Sequence, residues 1–219
     1  MHEVAAGVWQ LAGFPPNAIN LFLVGDVLID AATRLAKRRV FSQLEGKKIT
    51  ALALTHVHPD HQGLAKVIRD ELGVPLCCPE KDVPIMEGKE RMQPNTAMTR
   101  FSTRMWAGPP CPVDRILHEG DEIAGFRVID APGHTPGHVI FFRESDRVAI
   151  VGDVLNGMNL LTTWPGLHEP PPFFTWDVAA NRRSIRKLAA LRPEILLFGH
   201  GPPCRDPRKL QQFADRLPS

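Results

Sequence analysis

The sequence predicts a mixed α/β fold built as one domain over residues 1–219. Three observations carry that reading. Short apolar runs such as Ile49–Leu54, Arg147–Val151 and Glu194–Phe198 have the length and bounding residues of buried strands. Helical apolar spacing over Ala32–Leu44, Gln62–Leu72 and Asp177–Leu191 alternates with them. Candidate ligand residues are spread from His56 to His200, so any division of the chain between them would split one site.

In chain order, Val4–Leu11 and Ile19–Asp30 read as strands, with a hairpin turn at Val24-Gly25-Asp26-Val27. In the first helix Leu35, Ala36, Val40, Phe41 and Leu44 share the inward stripe, Lys37-Arg38-Arg39 is the wet face and Gly46 ends it. The second helix buries Leu64, Ala65, Ile68 and Leu72 and stops at Gly73. Val74–Cys78 is a short strand. Residues 79–112 show no single period but allow short helices, and fall where an insert would shape a pocket. Arg115–Leu117 and Ile123–Ala131 read as strands about the turn Gly120-Asp121. Val139–Arg143 and Val148–Val151 form a hairpin. Asn156–Trp176 reads as an aromatic-rich loop. The helix Asp177–Leu191 turns Val178, Ile185, Leu188 and Ala189 inward, and Asp206–Leu217 forms a short last helix.

Hydrophobic residues make up 43% of the chain, enough for a core. A net charge of +2 is too small to argue for nucleic-acid or membrane binding. The 21 prolines and 17 glycines predict many loops. The start Met1-His2-Glu3-Val4 lacks a signal-peptide pattern and no apolar run reaches the roughly 20 residues of a membrane span, so a cytoplasmic location is expected. Cys77, Cys78, Cys111 and Cys204 show no CxxC spacing and are expected to be reduced.

The chemistry concentrates in Thr55-His56-Val57-His58-Pro59-Asp60-His61, between a strand and a helix. Side chains alternate in extended backbone, so His56 and His58 point the same way, and two imidazoles aimed at one point suit a transition metal. Pro59 turns the chain, and Asp60 and His61 face a second point nearby. His61 lies near a helix start, where the dipole favours a neutral imidazole. Three later strand-like runs end in Gly followed by His or Asp: Gly133-His134, Gly152-Asp153 and Gly199-His200. Five of the nine histidines fall into this strand-end pattern. His138, four residues after His134, is a candidate to orient a ligand.

The series HxHxDH, then His, Asp and His, resembles the metallo-β-lactamase superfamily, glyoxalase II-like, over Val4 to His200. The resemblance implies a four-layer αββα sandwich of two mixed β-sheets flanked by helices. It implies that His56, His58 and His134 hold one metal, that Asp60, His61 and His200 hold a second, and that Asp153 bridges them. It also suggests that the early loop leans over the site with Phe14 toward substrate, the alternative being an exposed hairpin tip. The expected cofactors are two divalent ions, zinc by preference, with iron or manganese also suited to these ligands. The expected activity is hydrolysis of a small ester, thioester or lactone by a metal-bridging hydroxide, with Asp60 orienting it or passing its proton. No motif cysteine is present, Asp153 and the missing signal peptide argue against antibiotic hydrolysis, only 19 residues follow His200 where glyoxalase II adds a glutathione-holding region, and the chain has no Tyr for a lactonase-type site. The alternative is a mononuclear iron persulfide dioxygenase using His56, His134 and Asp153. Met158, Trp164, His168 and Phe173, in the aromatic stretch after Asp153, are the substrate-binding candidates, or else pack that loop down or meet a second copy in a homodimer. The expected partner is a small-molecule substrate, with no nucleic acid and no membrane.

Overall fold

Alternation along the strands builds the layers. In the computed structural model, which describes residues 1–218, the central strands of both sheets are buried on both faces. Val27 and Ile29 point one way and Leu28 the other; Ala53 opposes Leu52, and Cys77 opposes Leu76 and Cys78. The same period of two separates Phe141 from Ile140 and Phe142, and Ile150 from Ala149 and Val151. One set of faces meets between two sheets, where Phe22, Phe126 and Phe141 are all but fully buried. Burying each such ring contributes on the order of 2–3 kcal/mol. The other faces are covered by helices.

The first sheet has seven strands in chain order: His2–Ala5, Val8–Gln10, Phe22–Val24, Val27–Ile29, Ala51–Ala53, Leu76–Pro79 and Arg115–Leu117. It is antiparallel through Val27–Ile29 and parallel after it. Its outer face packs on Val40 and Leu44 of the helix Lys37–Leu44 and on Ala65 and Ile68 of Ala65–Leu72. The second sheet runs Ile195–Phe198, Val148–Gly152, Val139–Arg143, Phe126–Asp130, Glu122–Ile123, with the first two strands parallel. Its outer face packs on Ile185 and Leu188 of the helix Val178–Ala190 and on Leu210 of Pro207–Asp215. Asp177 and Asp206 start these two helices by accepting from the backbone N–H groups of Ala180 and Arg208. The result is helix, sheet, sheet, helix, the four-layer αββα sandwich. No helix among the described residues is long and apolar enough to cross a membrane.

Several sequence expectations change. Residues 123–131 are not one strand: Ala124 and Gly125, at φ 49° and 79°, make a two-residue hairpin turn between Glu122–Ile123 and Phe126–Asp130. Leu35 is 71% exposed, because the first helix opens with a 3₁₀ turn at Arg34–Ala36 that shifts the apolar phase. Leu72, last before the left-handed Gly73, faces solvent. The second helix is two pieces, Pro59–Gln62 and Ala65–Leu72. Residues 156–176 carry a hairpin, Asn156–Met158 with Pro165–His168, and a 3₁₀ turn at Pro172–Phe174. Residues 79–112, by contrast, hold short helices as expected, Val83–Met86 and Ala97–Trp106.

Candidate metal centre

The site lies along one edge of the sandwich, where loops from both sheets converge. His58 ends the first loop in extended backbone (φ −116°, ψ 162°), and Pro59, at the first position of the following helix, pre-sets its turn. The backbone N–H groups of His61 and Gln62 return to the His58 carbonyl, so Asp60 and His61 are aimed by a single tight turn.

The strand-end glycines explain how the other loops reach this point. A Cβ on Gly133 would stand 2.1 Å from the Asn181 backbone N, at the start of a helix. A Cβ on Gly199 would stand 2.1 Å from Asp153 Oδ1 and 2.7 Å from His61 Cε1. Only a residue without a side chain lets backbone pass this close to the ligand groups.

All seven sequence-predicted ligand residues come together. Atoms of His56, His58 and His134 form one group within 4.8 Å, as do those of Asp60, His61 and His200; a third such group joins His56, His61 and Asp153. His58 Nδ1 is 2.8 Å from His134 Nε2. Asp153 Oδ2 is 3.0 Å from His200 Nε2 and 3.6 Å from His134 Nε2, one from each group. His200 Nε2 is 3.2 Å from Asp60 Oδ2.

The far sides of these rings are held. Asp30 accepts from His61 Nδ1 at 2.9 Å and from the Thr55 N–H and hydroxyl; that hydroxyl lies 3.0 Å from His56 Nδ1. His58 Nε2 donates to the Gln93 carbonyl at 2.7 Å, and His200 Nδ1 donates to the Ala18 carbonyl. These bonds leave His56 Nε2, His58 Nδ1, His61 Nε2 and His200 Nε2 facing inward. His56 Nε2, His61 Nε2 and Asp153 Oδ1 are fully buried with no hydrogen-bond partner. Orphaned nitrogen and oxygen donors with outer partners in place are the environment a divalent cation requires.

Electrostatics divides the site. Burial, with repulsion from neighbouring imidazoles, holds His56 and His134 well below the usual histidine range and lowers His58. Burial would lower His61 too, but Asp153, Asp30 and Asp60 outweigh it and hold it well above that range. His200, likewise opposed by burial, is pushed up to about 10 by Asp153 and Asp60. In return Asp60 and Asp153, which burial alone would raise, stay below the carboxylate range. The expected dipole-neutral His61 is therefore not found in the metal-free chain: its helix spans four residues, and three carboxylates surround it.

His138 lies inside the site and belongs to none of the ligand groups. Its Nε2 accepts from the Asp153 N–H at 3.0 Å, its ring stacks on His56 at 4.7 Å, and burial holds it down at about 3. The substrate candidates are scattered. Met158 is buried, while Trp164 is 75% exposed at the hairpin tip. His168 and Phe173 line a cavity of about 290 Å³ that none of the seven ligand residues lines. Phe14 is 87% exposed, although its loop supplies the Ala18 carbonyl.

Two buried carboxylates escaped sequence reasoning. Asp30 follows the apolar run Val27–Ile29, so the strand-end pattern could have found it. Asp82 has no such signal. It accepts from the Val57 N–H, the Thr135 hydroxyl and the Gly137 N–H, tying the first ligand loop to the His134 loop.

Comparison with known proteins agrees with this geometry. The family described as the metallo-beta-lactamase superfamily matches residues 15–200. The chain is 32% identical to the probable metallo-hydrolase YflN of Bacillus subtilis, over 99% of this chain and 93% of that one. It is 30% identical to the hydroxyacylglutathione hydrolase GloC of Haemophilus influenzae, over 70% and 69% of the two chains. A solved structure of TTHA1623 in a di-iron-bound form superposes with a TM-score of 0.69 at 29% identity, covering 93% of this chain and 96% of that one.

Proposed function

The chain belongs to the metallo-beta-lactamase superfamily and is a metal-dependent hydrolase, and we propose that it holds two divalent ions and cleaves a small ester, thioester or lactone. The observation that carries this is Asp153 Oδ2, which stands within 3.6 Å of an imidazole nitrogen from each ligand group. One carboxylate oxygen shared by two ligand sets suits a pair of cations better than one. The di-iron form of TTHA1623 supports two sites, and the hydroxyacylglutathione hydrolase GloC supports a thioester among the substrates. An all-imidazole and carboxylate set suits zinc, our choice, and accommodates iron or manganese.

His56, His58 and His134 would hold one ion; Asp60, His61 and His200 the other; Asp153 both. Bound there, such ions supply a nucleophilic hydroxide at neutral pH and polarise the scissile carbonyl. The chain's own contribution is placement. Asp60 is the ligand side chain most open to solvent, 21% exposed against 5% for Asp153. Held ionised, Asp60 accepts a hydrogen bond from the attacking group and fixes its approach. Asp30 and Thr55 prevent His61 and His56 from rotating away, so the donor atoms need no rearrangement during turnover.

Elemental analysis of protein purified without added metal tests this first. About two equivalents of zinc, iron or manganese, with turnover on an ester, thioester and lactone panel, is the expected result. One equivalent of iron with oxygen consumption on a persulfide would replace it with the dioxygenase. Asp60→Ala should lower hydrolysis on the order of 10³-fold; unchanged turnover in that variant would remove the two-ion mechanism.

A further inference from the structure

A cavity of about 590 Å³ lies against the helix Ala97–Trp106, and none of the seven ligand residues lines it. That volume is in the range of small-molecule sites. Its walls include Gln62 and Thr99 and carry three arginines, Arg91, Arg100 and Arg104, against one carboxylate, Glu90. Close backbone contact fixes its base: a Cβ on Gly108 would stand 2.3 Å from the Gly63 carbonyl oxygen, so the segment after the helix rests on the ligand turn.

Two independent features point to an occupant. The first is Gln62, 4% exposed, whose Oε1 is fully buried and has no hydrogen-bond partner. Such a buried acceptor is paired in most proteins, so this oxygen calls for a donor group on an occupant. The second is charge. Arg100 and Arg104 stand one helical turn apart and border the same space, where like charges repel. Arg100 reaches only the Asn95 carbonyl and Oδ1, and neither arginine pairs with a carboxylate among the described residues. The cavity also borders chain segments adjacent to the ligand residues. Gln62 follows His61, and the Gln93 carbonyl that holds His58 sits in the loop between the lining residues Met92 and Asn95.

We propose that this cavity binds the anionic end, a carboxylate or phosphate, of a small organic molecule, and that Arg100 and Arg104 select for it. Guanidinium groups pair such oxygens through two parallel N–H donors, while Gln62 Oε1, an acceptor, would take an N–H or O–H elsewhere on the same molecule. The anion is either the tail of the substrate or a free ligand acting on His58 through the Gln93 loop. Only the first of these rests on the hydrolase reading.

Thermal unfolding of the full chain, with glutarate and with inorganic phosphate as probes, reads binding without catalysis. At ten times the dissociation constant the expected rise in Tm is about 3–6 °C, and less than about 1 °C in the double variant R100Q/R104Q. Both arginines are exposed, so that variant should match the parent in Tm without anion and in metal content. The catalytic arm compares p-nitrophenyl butyrate with the mono-p-nitrophenyl ester of glutaric acid. The parent should prefer the glutarate ester about tenfold in kcat/KM, and the variant should lose the preference with butyrate turnover within about twofold. Competition by free glutarate against the glutarate ester identifies a substrate tail; altered butyrate turnover without competition identifies a separate anion. No Tm shift with either anion, or a shift that survives in the variant, overturns the proposal. A shift in a protein that cleaves neither ester counts against the proposed hydrolysis and leaves the cavity assignment standing.

Discussion

The two ligand groups, three imidazoles in one and two imidazoles with a carboxylate in the other, sit in opposite electrostatic surroundings. Around His56, His58 and His134, burial is in control: the rings sit with one another, and each is pushed toward its neutral form. Around Asp60, His61 and His200, carboxylates are in control: two imidazoles hold protons in the place where a cation would sit. The lesson is that a metal-free site is not uniformly ready. The first group offers neutral rings, whereas at the second a metal must displace the protons of charged ones.

The most damaging way to break the contrast is Gly199→Ala. Its methyl group would enter the space of Asp153 Oδ1 and His61 Cε1, disrupting the second group and the shared carboxylate without removing a ligand. We expect loss of about one metal equivalent and a fall in turnover on the order of 10³-fold, checked by elemental analysis and ester hydrolysis.

Asp30→Asn should come next. It weakens the acceptor for His61 Nδ1 directly and reaches His56 only through Thr55. Metal affinity at the second group should fall about 10–100-fold, against less than about threefold at the first, read by competition with a chromophoric chelator.

Acid sharpens the comparison further. His200 titrates at about 10 in the metal-free fold, above its ordinary value, so at pH 7 it is protonated and binding must release that proton. Affinity of the second group should fall about tenfold per pH unit between pH 8 and 6 for each proton displaced, while the first group, already neutral, stays flat. Calorimetry in buffers of different ionisation enthalpy counts the protons. The same shift makes a stability statement: the raised His200 stabilises the metal-free fold fully below about pH 6.5, and that contribution is lost as pH rises through about 10. The smallest effect belongs far from both groups. Lys37→Ala removes the exposed pair with Glu71 and should change stability by about 0–1 kcal/mol in a denaturant titration, with metal content untouched.

Much of this arrangement was legible in the residues. The strand-end histidines and aspartates fall where the loops converge, because a short apolar run that stops at glycine leaves its next side chain at a sheet edge. The αββα layering came through the family resemblance, and the strands themselves through their apolar runs. What stayed hidden depends on partners far away in sequence. Asp82 is a lone acid in Glu80-Lys81-Asp82 until folding brings it the N–H groups of Val57 and Gly137. The inverted protonation of His61 needs Asp30, Asp60 and Asp153 around one ring. The aromatic stretch 156–176 reads as loop in the sequence because Asn156–Met158 and Pro165–His168 pair across a long tip, with no two-residue turn to announce the hairpin.

Asp82 has a consequence for how the molecule comes apart. Its carboxylate laces a loop at the edge of the first sheet to one at the edge of the second, and the ligand groups straddle the same line. A cation gripping His56 and His134 together would act as a second rivet across that seam. Chelation should therefore loosen the join before either sheet melts, and amide exchange near Val57 and Gly137 should quicken while the strands behind them remain protected.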